Sequence, residues 1–180
     1  FWFSEVEAEF YAGSSCFMAL SFLAILKWEK VKDEPLSDRW IVFIAYLVGF
    51  GIGLHLLNIL VVPAVFLYYF VNKYGSSVLN VLKAAVIGFG SIALLQWGII
   101  PMTPAVGAWF DMIFVNSFGL PFNSGVLFFM VLIFVAVILG LRYTARVNKP
   151  IANLVILCYA FIMIGFSSYS MVVIRSIAEP

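Results

Sequence analysis

The chain has 180 residues, of which 64% are hydrophobic and only 11% charged, with a mean hydropathy of +1.11. A soluble domain is closer to half apolar and about a quarter charged, so composition excludes one and specifies a polytopic membrane protein. The net charge of +1 points to no partner, and nucleic acid is not expected as one; membrane lipid is.

The first apolar run covers Ala8 to Trp28. No basic segment precedes it, as a signal peptide would require, and the chain reads as a piece of something longer. Ahead of the run stands FWFSEVEAEF, with Glu5, Glu7 and Glu9 two residues apart. Ser4 to Glu7 fits a capping box, with Ser4 as N-cap and Glu7 at the third helical position. Acidic residues in a first turn also favour the positive end of the helix dipole. Glu9 lies deeper, and an ionisable group entering the bilayer normally faces a protein interior or an aqueous cavity. We therefore take Glu9 as a functional candidate, and Glu7 as either a cap or a supporting group.

The aqueous loop KWEKVKDEPLSDR follows, and then an apolar stretch from Trp40 to Asn72. As one helix this stretch would reach about 50 Å, against a hydrocarbon core of roughly 30 Å. Lys27, Lys30, Lys32 and Arg39 lie in one loop and Arg142, Arg146 and Lys149 in another, and both should be cytoplasmic. Two short spans, turning back near His55 to Asn58, satisfy that rule where one long span does not. His55 is the sole histidine. It is either a satisfied buried side chain or a group presented at a helix break. Asn58 can satisfy backbone groups freed at that break. GFGIG, from Gly49 to Gly53, reads as close helix packing, since no strand precedes it as a nucleotide fingerprint would need.

Further on, Ser77 to Ile100 predicts a span. Pro101 to Gly125 predicts an external loop, in which Val106, Trp109, Phe110, Ile113, Phe114 and Phe118 recur at helical spacing. An amphipathic helix on the membrane surface is expected there, with Asp111 solvated and the Gly-Leu-Pro and Asn-Ser-Gly steps turning the chain back. Val126 to Tyr143 and Ile151 to Ile174 predict two more spans. Cys16 and Cys158 fall inside apolar runs, where buried packing is expected. No disulfide, metal or cofactor is expected. The predicted architecture is an all-α transmembrane helical bundle of about six crossings: 8–28, 40–55, 57–72, 77–99, 126–143 and 151–174. The loop 101–125 carries one extracytoplasmic interfacial helix, and both ends are extracytoplasmic. Arg175 is then the only external basic residue, either a snorkelling anchor or a partner for a phosphate. These residues suit the handling of a phosphate-bearing lipid, and equally a proton-coupled secondary transporter or a non-catalytic scaffold.

FWFSEVEAEFYAGSS, LKWE, DRWIVFIAYLVGFGIGLHLLN, FVNSFGLPFNSG and MVVIRS, in that order, resemble a family of bacterial integral-membrane proteins labelled a domain of unknown function. That family is similar to the animal transmembrane protein O-mannosyltransferases, within the glycosyltransferases of the C fold. The resemblance implies part of a C-fold membrane domain in the bacterial inner membrane. It also implies transfer of a sugar, mannose foremost, from a polyprenyl-phosphate donor to a protein Ser/Thr or glycan acceptor. Glu7, Glu9 and Tyr11 stand where the family has them, as does the spacing from His55 to Asn58; Glu5 does not. The resemblance thus implies supporting catalytic roles for Glu9 and Glu7 and substrate contacts for Tyr11, His55, Asn58 and Arg175. The family's main carboxylate, in an Asp-x-Gly-Glu type motif, has no match here and is expected upstream of Phe1, which implies that this piece alone is inactive.

Overall fold

The structure, a computed structural model, describes the backbone of residues 2–178 and the side chains of residues 11–167. Among the described residues every regular element is helical and none is a strand. Among these residues five helical stretches are long and apolar enough to cross a membrane, and Arg39–Leu54 is a shorter apolar helix. The contacts fall into two units, residues 1–92 with 158–180, and residues 93–157.

In the first unit, α1 (Trp2–Val31) buries one stripe: Ser14, Ser21, Ala24, Ile25 and Trp28. That spacing of seven, three, one and three follows the helical period. α1 already contains residues 2 and 3, so Ser4 lies within it rather than capping it, which corrects the capping-box expectation. α2 (Arg39–Leu54) returns antiparallel to α1, since Phe17 meets Phe50 at 4.8 Å and Gly13 lies by Leu54. The predicted reversal is present. His55 alone is extended, with φ −151° and ψ 124°. A 3₁₀ turn, Leu56–Leu60, follows, and α3 (Val61–Tyr74) leaves in the opposite direction to α2. Pro63 falls in the first turn of α3, where a missing N–H is tolerated. α3 runs parallel to α1, because Glu29 meets Tyr68 and Lys32 meets Asn72.

Glycines set the close approaches. A Cβ on Gly49 would lie 2.2 Å from the Ile162 carbonyl oxygen in α7 (Pro150–Ala178), and one on Gly165 would lie 2.5 Å from the Tyr46 oxygen. Both obstacles are backbone, which no rotamer change relieves. Gly49→Ala is therefore expected to destabilise the unit by about 1–3 kcal/mol. Thermal unfolding in detergent measures this, and an unchanged midpoint would contradict so tight an α2–α7 contact. The close-packing reading of GFGIG thus holds at Gly49. Cys16, expected to be buried, is exposed, and both cysteines are free.

α4 (Val78–Ala93) opens beside Ser77, whose hydroxyl accepts the Asn80 N–H at 3.3 Å. The second unit begins with its last residue. Instead of ending near Ile100, the chain passes through a π turn, Leu94–Ile99, directly into α5 (Ile100–Phe118). Pro101 cannot donate to the ladder and the Pro104 ring displaces the Ile100 carbonyl, so the wider turn just before them absorbs the misfit. Most of the expected loop 101–125 is therefore helix.

α5 pairs with α6 (Ser124–Arg146) through Phe110, stacked on Phe129 at 5.6 Å, and Phe114, 5.1 Å from Phe128. Gly119, at φ 64°, ends α5, and Leu120 N–H donates back to Phe114 O at 3.2 Å. Asp111 is not simply solvated. Its carboxylate accepts from Asn123 N–H at 3.1 Å and Gly125 N–H at 3.0 Å, capping α6 from the neighbouring helix. Gly125 is required beneath it, because a Cβ there would lie 2.4 Å from the Asp111 backbone. Asp111→Ala is expected to lower stability by about 1–2 kcal/mol, the ordinary loss for an N-cap, with Asp111→Asn recovering part of it. Equal melting of all three proteins would show that the cap is idle. At the far end of α6, Asn153 of α7 donates to Leu141 O at 3.0 Å and Thr144 Oγ1 at 2.9 Å, fixing the α6–α7 turn.

Candidate functional site

The predicted break is where polar side chains meet. α2 ends as His55 N–H donates to Gly51 O at 2.9 Å. The His55 side chain then turns onto the next element, where Nδ1 accepts the Leu57 N–H at 3.2 Å. The imidazole thus caps the 3₁₀ turn, satisfying one of the N–H groups that every helix start leaves free. Only the orientation with Nδ1 inward provides an acceptor, because the ring's other inner atom is carbon.

Asn58 is 1% exposed. Its amide nitrogen donates to Ser14 Oγ at 2.7 Å and Gly51 O at 2.9 Å, with His55 O at 3.3 Å. Two carbonyls facing the amide require its nitrogen, not its oxygen, on that side. One side chain therefore ties α1, the end of α2 and the 3₁₀ turn together, in the satisfying role expected of it. Tyr11, one turn before Ser14 on α1, lays its ring 5.0 Å from the His55 ring at 40°. Tyr11 is 55% exposed, so this group opens at the surface of the unit.

The structure thus brings Tyr11, His55 and Asn58 together. Ser14, which sequence reasoning passed over, joins them. Its signal was positional: it stands three residues after Tyr11 and seven after Glu7, on one helical face. The side chains of Glu7, Glu9 and Arg175 lie outside the described residues, although their backbones belong to α1 and α7. Among the described residues no cluster of three or more His, Cys, Asp or Glu could hold a metal ion.

A second polar cluster sits at the far end of α1 and α3, where the predicted aqueous loop meets the end of the predicted span 57–72. Tyr68 OH donates to Glu29, and Asn72 Nδ2 donates to Tyr68 O at 3.1 Å. Lys73 Nζ donates to Tyr69 OH at 2.6 Å, and the Tyr69 ring lies 4.9 Å from buried Trp28. The Tyr68–Glu29 and Tyr69–Trp28 contacts join α1 to α3 at this end.

The helices and the polar break together define an integral-membrane domain with a side-chain cluster at an interrupted helix. Residues 1–78 match the family described as protein O-mannosyl-transferase TMEM260 N-terminal domain. The matched segment holds α1, α2, the break and α3, and so all of Tyr11, Ser14, His55 and Asn58. An O-mannosyltransferase-like membrane domain is what that similarity supports. No curated protein and no solved structure matches the chain.

Proposed function

We propose that this chain is part of a membrane glycosyltransferase of the C fold. It would transfer a sugar, mannose foremost, from a polyprenyl-phosphate donor to an extracytoplasmic protein hydroxyl. The observation that carries the reading is the match over residues 1–78, inside which the polar groups of the helix break converge. In the transfer, a Ser or Thr oxygen bonds to the anomeric carbon as the bond from that carbon to the phosphate oxygen breaks. The hydroxyl proton goes to a carboxylate, and the polyprenyl phosphate leaves as an anion that needs donors around it.

In this reading His55 and Arg175 meet the phosphate, Tyr11 lines the approach, and Asn58 holds the break in shape. Glu7 and Glu9 orient the acceptor or the base. Four residues separate Glu7 from Tyr11, about one turn, so they share a face. Glu9 is two residues from each, about 200° around the helix. The two positions therefore fall on different sides of α1. The domain sits in the bacterial inner membrane with its basic loops in the cytoplasm and both ends outside.

Proteoliposomes holding the full-length protein, supplied with mannosyl-phosphoryl-polyprenol and a Ser/Thr peptide, test the reaction. Sugar on the peptide is the expected product, and a donor left intact under conditions where the protein is folded would refute it. Arg175 is read by donor affinity. Loss of a charged hydrogen bond of about 1.5–3 kcal/mol should weaken binding roughly ten- to a hundredfold in Arg175→Ala. Arg175→Lys, which keeps charge but loses the fork, should recover only part. Equal binding by all three would leave Arg175 as an anchor.

A further inference from the structure

A neutral imidazole has one proton for two nitrogens. At His55 the Leu57 N–H occupies the lone pair of Nδ1, so the proton belongs on Nε2. Nε2 has no hydrogen-bond partner among the described residues, while the ring's position is fixed from two sides by the cap and by Tyr11. With the Nδ1 lone pair engaged, the ring has no lone pair to offer a substrate proton. A role as proton acceptor would require breaking the cap of the 3₁₀ turn.

We propose that His55 is a fixed one-proton donor. Nε2–H is presented at the helix break to an anionic oxygen, and the imidazole takes no proton during the reaction. Resting on the reading above, the acceptor class is the phosphate oxygen of the polyprenyl-phosphate donor or product. The same side chain thus does two things at once: one nitrogen shapes the backbone and the other addresses the ligand. This division assigns the general-base role to a carboxylate rather than to the only imidazole of the chain.

Because His55 is the sole histidine, labelling with ¹⁵N-histidine reports it alone. Nδ1 is expected in the unprotonated, pyridine-type region and Nε2 in the protonated, pyrrole-type region. The reverse pattern would overturn the proposal without reference to any ligand. Two substitutions separate the nitrogens. His55→Asn places an amide oxygen where Nδ1 was, keeping the cap and deleting the Nε2 donor. His55→Gln reaches toward the Nε2 position with an N–H but abandons the cap. Binding of a short-chain polyprenyl phosphate in nanodiscs is the probe. His55→Asn should melt like wild type yet bind about tenfold or more weaker. His55→Gln should melt lower yet lose less affinity. Wild-type affinity in His55→Asn would reduce His55 to a cap and end the proposal. If wild type itself binds no polyprenyl phosphate, the functional reading fails, and with it the assigned ligand, while the labelling result still decides which nitrogen carries the proton.

Discussion

Asn58→Ala is expected to destabilise the first unit by about 3 kcal/mol or more, and Asn58→Asp to prevent it from folding. The amide donates to Gly51 O, Ser14 Oγ and, more weakly, His55 O, from a site 1% exposed. Alanine strands those acceptors where water does not reach, and each buried unsatisfied group costs about 1–3 kcal/mol. Aspartate is worse. It replaces a donor by an acceptor facing carbonyl oxygens, so the acid must either protonate or carry a buried, unpaired charge. Ser14→Ala removes only one of the acceptors and should cost about 1 kcal/mol. The measurement is thermal unfolding and monodispersity of the purified protein in detergent. Wild-type melting of Asn58→Ala would mean that the break holds without its hub.

If the full-length protein carries out the proposed transfer, Glu7→Gln and Glu9→Gln should each lower it by about a hundredfold or more, the lower range for positioned acid–base groups, with the fold retained. Glu5→Gln should be nearly silent. The two effects should combine differently with the loss of the His55 donor. Glu7 shares the register of Tyr11 and Ser14, so Glu7→Gln and His55→Asn should be non-additive by about 0.5–3 kcal/mol. Glu9, on the other side of α1, should add to His55→Asn within about 0.5 kcal/mol. Rates of single and double variants decide it, and strong coupling of Glu9 instead would place the working carboxylate on the opposite face.

The break at His55 was legible because two crude constraints agree on it. The stretch Trp40 to Asn72 is too long for one span, and the basic loops must share a side. Neither constraint speaks to side-chain contacts. Ser14 was passed over because its register with Tyr11 marks a face but names no partner; its role comes from Asn58, 44 residues away. Asp111 was misread for a related reason. Its partners are the amides of Asn123 and Gly125, which reach it only once the α5–α6 turn is made. The Glu29–Tyr68 link likewise spans 39 residues. The turn itself was plain, with Gly119 and Asn123 both at positive φ. The junction at Pro101 misled because proline usually ends a helix, and here a π turn makes room for it.

The Asp111 cap also bears on how the chain enters its membrane. A helix that starts with its own serine or aspartate arrives at the bilayer with its first amides already satisfied. α6 does not, since at Asn123 and Gly125 the acceptor is lent by α5. Delivered alone, α6 would carry bare amides toward hydrocarbon, where each is expensive. The two helices are therefore expected to insert as a pair, closed by the Gly125–Asp111 contact, and an α6 that enters the membrane equally well without α5 would contradict this.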